Sequence, residues 1–284
     1  MHEPVLRAAA FGGEPLPDPA VLRGARTPTE RLLAAIVLGA QGRYAAAATL
    51  LGPLRTAKDP LQSSLAASTL AAHRRQLGGH ANARALDGEA FARAAGLTAE
   101  PDPDGLDAAG ARADALLGLA ADNLALGRLS AARRLAERAA DQHAGWRATV
   151  RGGWVGAEIE LAAGRGAAAV APAERAFETA VARGARRHAV KSGIVLAVAL
   201  RAAAAPDHRK ISDDLVGKAM ATAEECELFS LLWPAALVAA DLRPGHAEEY
   251  RFRVAEVLHA VLRSADPCGR RIAEDSPWVP APGG

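Results

Sequence analysis

The sequence predicts an all-α fold, an α-solenoid of stacked antiparallel helix hairpins with roughly ten to twelve helices. Three observations lead there. The chain of 284 residues is 50% hydrophobic and only 4% aromatic, and alanine and leucine dominate it. Alanine has the best intrinsic helix propensity and needs little space between packed helices. Stretches of β-branched or aromatic residues long enough for a strand are almost absent. Finally, glycines recur at 42, 78, 127 and 164, each following one apolar-periodic stretch and preceding another.

Residues 1–28 read as an N-terminal extension or cap, rich in proline and glycine after "MHEPVLRAAAF". They show no basic start followed by an apolar core, so no signal peptide is expected. From residue 29 the hairpins begin. "TERLLAAIVLGAQ" precedes Gly42, "SSLAASTLAAHRRQL" precedes Gly78 and "ADALLGLAADNLAL" precedes Gly127. A glycine after a helix permits the left-handed conformation that other residues resist. The glycines are 36, 49 and 37 residues apart, and the long interval holds a loop insertion near 96–108, "GLTAEPDPDGLDA".

Each glycine is followed at fixed offsets by a second and third position: Gly42, Tyr44 and Ala47; Gly78, His80 and Ala83; Gly127, Leu129 and Ala132; Gly164, Gly166 and Ala169. With Leu38-Gly39 and the closing Pro60 of the first copy, this pattern resembles the tetratricopeptide repeat (TPR) family. The resemblance covers residues 29–183. It departs from the family pattern in lacking most of its aromatics and, after the first copy, a clear closing proline. It implies TPR-like hairpins that stack to bury a shared apolar face, with the first helix of each hairpin lining a concave groove.

Residues 184–264 read as further, divergent hairpins. "RRHAVKSGIVLAVALRAAA" is a helix and "APDHRK" a turn; Ser212 and the aspartates after it are placed to cap the next helix. Pro234 is expected to start or kink a helix. The segment "RPGHAEEYRFRVAEVLHAVLRSA" aligns Val254, Val257, Leu258, Val261 and Leu262 on one face of a final helix. Residues 265–284 read as an extended tail, in which Trp278 among prolines either binds a partner or folds back over the end of the array.

Charge and motifs exclude several functions. The 34 basic and 32 acidic residues leave a formal charge of +2, which gives no reason to expect nucleic acid or a membrane surface as partner. The basic segment containing Arg133, Arg134, Arg138, Arg147 and Arg151 is interrupted by acids, and the spacing of Glu137 from Arg133 suits ordinary helix pairing. The most apolar stretches fall short of the roughly 20 residues that span a bilayer. Cys226 and Cys268 make no metal-type pair. Neither a P-loop nor a catalytic motif occurs, so the expectation is a cytoplasmic, non-enzymatic protein with no cofactor and no metal site.

Groove positions follow from the family resemblance, counting back from each hairpin glycine. Before Gly164 they are Arg151, Trp154, Val155 and Glu158; before Gly78, Leu65, Ser68, Thr69 and Ala72, with Arg75 one turn on. Carrying the period forward adds His188, Lys191 and Ser192. Elsewhere the groove positions are apolar: Leu32, Leu33, Ile36, Leu117 and Leu124. The partner-binding set is therefore Ser68, Thr69, Arg75, Arg151, Trp154, Glu158, His188 and Lys191. Arginine can hold a carboxylate through two hydrogen bonds, and tryptophan offers a rigid contact. The expected role is a scaffold or adaptor holding another protein or peptide. The alternative is a bacterial sensory protein that binds a ligand or peptide and acts through a regulatory partner. Self-association stays open.

Overall fold

A computed structural model describes residues 2–14, 16–98, 100–143 and 145–280. Among them the chain forms fifteen α-helices, one 3-10 turn and no strand. Twelve helices make six hairpins: α3 Pro28–Ala40 with α4 Tyr44–Arg55, α5 Pro60–Gln76 with α6 His80–Ala94, and α7 Ala108–Ala125 with α8 Leu129–Ala140. They continue with α9 Trp146–Ala162 and α10 Gly166–Ala182, α11 Arg186–Ala203 and α12 His208–Glu225, and α13 Phe229–Leu242 and α14 Ala247–Arg263. The three helices beyond the expected number are short: α1 Glu3–Phe11 and α2 Pro19–Arg23 in the N-terminal extension, and α15 Pro267–Glu274 in the tail. Elements of that length carry too few turns to show a period in sequence.

Local signals explain the boundaries. Thr27 and Glu30 form a reciprocal capping box at α3, while Asp59 caps α5 and Asp107 caps α7. Three backbone N–H groups, of Arg26, His2 and Thr27, push the Glu30 carboxyl down to about 2. Gly42, Gly78, Gly127 and Gly164 turn the first four hairpins at φ of 73°, 76°, 74° and 72°. In the helix after each glycine, Ala47, Ala83, Ala132 and Ala169 are completely buried. A larger side chain there would push the paired helices apart.

The first helices of the six hairpins form an inner layer. α3, α5, α7, α9, α11 and α13 pack in succession, and α13 returns to pack on α3. The array is therefore a closed ring. One core joins its ends, with Ala40, Tyr44 and Leu77 packed among Leu231, Val257 and Val261. Ala45 N–H donates to the Ser264 carbonyl at 2.9 Å, and Arg74 holds Asp266 through two hydrogen bonds of 2.8 and 3.1 Å. The N-terminal extension is used inside this ring. α1 packs on both α3 and α11, and Arg7 ties it to Asp102 and Asp104 of the 96–107 connection, each at 3.0 Å.

Several expectations differ from this structure. The tail is not extended over its length: Asp266 caps α15, Ser276 Oγ donates to Gly78 O at 3.3 Å, and Val279 is buried in the joining core. Its last four residues, 281–284, lie outside the described residues. Ser212 caps nothing, because α12 already starts at His208; it is buried, and its hydroxyl donates to Ala197 O at 2.8 Å. Pro234 does not start α13 but lies within it, and Arg133 reaches Glu160 at 3.2 Å across to α9 rather than pairing within its own helix. Among the described residues no helix is long and apolar enough to cross a membrane.

Candidate binding chamber

The inner helices surround a chamber of about 570 Å³ to which all six contribute: Ile36 and Gly39 from α3, Ser68 from α5, Leu117 from α7, Trp154 from α9, Arg187 from α11 and Trp233 from α13. All eight residues expected in the groove, Ser68, Thr69, Arg75, Arg151, Trp154, Glu158, His188 and Lys191, line it. Ile36, Leu117 and Leu124 also face it, whereas Leu32, Leu33 and Leu65 are buried in a core cluster instead. Three of the four tryptophans border this one cavity, in a chain where 4% of residues are aromatic. The fourth, Trp146, packs edge-on against His188 with ring centroids 4.9 Å apart.

Arg151 is not the free anchor that its position suggests. Asp114 takes ion pairs from both Arg151 and Arg147, and burial of the carboxyl is outweighed by these two guanidiniums, which hold its pKa below the usual range. Arg147 also donates to the Asp104 carbonyl at 2.8 Å, so one carboxylate and the 96–107 connection position both arginines. Trp154 donates its indole N–H to Ser192 Oγ at 2.7 Å and stacks on the His188 ring at 5.8 Å. Lys191 lies 5.4 Å from the same indole centroid and 3.7 Å from Glu158.

On the opposite side Arg75 donates to Asp122 at 2.8 and 3.1 Å and also pairs with Asp87. Burial pushes the Asp87 carboxyl up to about 7 despite that pairing. Its carboxylate occupies the space left by Gly118, where any side chain would overlap it. Gly39 plays the same part for His73, whose ring lies over the bare backbone of α3. Burial pushes His73 down to about 3, with the Arg187 charge acting in the same direction. His188 is likewise held well below its ordinary value by burial and by Arg187, Arg147 and Arg151. Both imidazoles are therefore neutral at pH 7.

Sequence reasoning passed over Arg187, His73 and Trp233. Arg187 forms no ion pair among the described residues, and its Nε is buried without a hydrogen-bond partner. Burial, with the charges of Arg151 and Arg147, brings its pKa down to about 10, so it stays protonated at neutral pH. Buried atoms without partners also occur on four other lining residues: Ser68 Oγ, His73 Nδ1, His188 Nδ1 and Trp233 Nε1. Each such atom costs a folded protein about 1–3 kcal/mol. One signal was present in sequence: α11 starts Arg186-Arg187-His188 with no acid in its first turn, against the preference of the helix dipole for negative charge there.

Fold and chamber together define an all-α protein of helical hairpins closed around an internal cavity. No family model matches the chain, and no curated protein matches it. Among solved structures, the crystal structure of BtubC (BKLC) from P. vanneervenii is similar at 18% identity. The alignment covers 85% of this chain and 94% of that one, with a TM-score of 0.44.

Proposed function

We propose that the chain is a non-catalytic binding protein. Its chamber holds a small ligand, and the occupied ring acts through a protein partner. The observation that carries this reading is the closure of the inner layer: α13 packs on α3, and a ligand-sized space of about 570 Å³ is left between them. Small-molecule sites are typically about 300–1,000 Å³, mostly apolar, with a few convergent polar groups. An extended partner segment running along the concave face would have to displace α1, whose Phe11 is seated against Trp146, Arg147 and His188. The turns at Gly42, Gly78, Gly127 and Gly164 support reading the hairpins as degenerate TPR-like repeats. The free cysteines Cys226 and Cys268 fit a reducing, cytoplasmic setting.

The test is thermal melting of the full chain with and without the small-molecule fraction of a host extract, followed by mass spectrometry of whatever is released on denaturation. A ligand that binds the folded state raises the melting temperature with its concentration. The expected result is a rise that Trp154→Ala abolishes. No rise and no released molecule would remove the ligand reading.

A further inference from the structure

The inner face of the ring carries charge and donors that the protein itself leaves unanswered. Within the chamber wall, Arg147, Arg151 and Arg187 act together on His188, and Asp114 is the carboxylate that answers them, already shared between Arg147 and Arg151. Lys191 is matched by Glu158, and Arg75 by Asp87 and Asp122. Among the described residues of the chamber wall, the uncompensated cation is Arg187. Elsewhere in the lining, buried atoms without partners occur on Ser68, His73, His188 and Trp233. An indole N–H and a guanidinium can only donate, and a hydroxyl or a neutral imidazole can present a hydrogen. The unpaired guanidinium is satisfied by an acceptor-only group.

We infer that the chamber binds an organic anion: a carboxylate-bearing molecule whose charged head is held by Arg187 and whose apolar body lies against the tryptophan-lined wall. The inference rests on the ligand reading above and names the class of ligand. Four observations converge on it. Arg187 has no ion-pair partner among the described residues. His188 and Trp233, 3% and 6% exposed, have ring nitrogens without hydrogen-bond partners. The start of α11 gathers positive charge where its own dipole is positive. The rest of the lining supplies Ile36, Leu117, Leu124 and Leu231 with Trp154 and Trp278, a surface for an apolar body. A guanidinium matches a carboxylate through two parallel hydrogen bonds, so one anionic head satisfies Arg187.

The experiment uses the full chain and three matched pairs of probes: octanoate with octanamide, 4-phenylbutyrate with its amide, and 1-naphthaleneacetate with its amide. Binding is followed by tryptophan fluorescence and calorimetry. At least one acid is expected to bind about tenfold or more tightly than its amide, because a charge-assisted hydrogen bond is lost in the amide. Arg187→Gln is expected to erase that preference while raising the melting temperature by about 2–4 °C, since an unpaired charge leaves the interior. Arg187→Lys keeps the charge and removes the two-bond fork, and should weaken the acid severalfold while the acid stays preferred over its amide; it serves if Arg187→Gln does not fold. Equal binding of acids and amides overturns the anion inference and leaves the ligand reading standing. The same holds if no probe binds but host extract still stabilises the protein. If neither probes nor extract stabilise it, both fall.

Discussion

Two cavities of nearly equal size sit on either side of α9, and they are made of different chemistry. The chamber inside the ring, about 570 Å³, is lined by tryptophan, histidine, arginine and hydroxyl groups. The second, about 560 Å³, lies between α8, α9 and α10 and is lined by small residues, among them Ala136, Ala139, Gly152, Gly153 and Gly156, together with Pro172, Thr149, His143 and Arg175. None of the buried unpartnered side-chain atoms of the described residues belongs to that second lining, while five belong to the first. Small residues leave space because helices need to approach: a methyl group on Gly153 would meet the Pro172 carbonyl at 2.5 Å. Volume is therefore a packing outcome in one cavity. In the other, the wall carries a guanidinium, Arg187, with no ion pair among the described residues, and that is the feature on which the ligand proposal turns.

The strongest way to break this contrast is Asp114→Ala. It leaves Arg147 and Arg151 buried without their shared carboxylate and should cost about 3–5 kcal/mol in urea unfolding. A loss below about 1 kcal/mol would mean the chamber wall is not held by that pair. Acid comes next. His73 has a folded pKa of about 3, against about 6.5 in an unfolded chain. The unfolded state binds the extra proton below pH 6.5, so stability falls as pH falls through that window, by about 2 kcal/mol between pH 7 and 5 for this one group. His188 adds a change of the same sign. His73→Gln should flatten the profile by His73's share, measured by denaturant midpoints at each pH.

The smallest effects sharpen the comparison on the other side of α9. Gly152 has nothing within 4 Å of where a methyl would stand. Gly152→Ala should therefore stabilise the chain by up to about 1 kcal/mol through helix propensity. Its neighbour Gly153→Ala should destabilise it. Neither should alter ligand binding in the chamber; a change in affinity from Gly152→Ala would show that the two cavities communicate.

The inner helices were legible because their signals are local. Gly42, Gly78, Gly127 and Gly164 mark turns that each hairpin makes for itself, and counting back from them placed Arg151, Trp154, Glu158, Ser68 and Thr69 on the chamber wall. The pairing of those residues was not legible. Arg151 and Arg187 differ in what lies opposite: Asp114, 37 residues away, answers the first, and no carboxylate among the described residues answers the second. Nor could the turn at "APDHRK" show that Ser212 would enter a helix already under way, since its hydroxyl is satisfied by Ala197 from the neighbouring helix. The short tail helix fell below the length at which a period is visible.

Closure of the ring also changes how the chain must fold. Open helical arrays are held by neighbour-to-neighbour contacts and can fray from either end. Here Arg74 meets Asp266, and Ala45 meets Ser264, across separations of 192 and 219 residues. During synthesis the apolar face around Tyr44 and Leu77 waits uncovered until almost the whole chain has been made. Such late, distant contacts slow folding but tie the first hairpin's stability to the last. Unfolding should then be one cooperative transition, and a chain lacking α14 and α15 should lose order at its beginning as well as at its end.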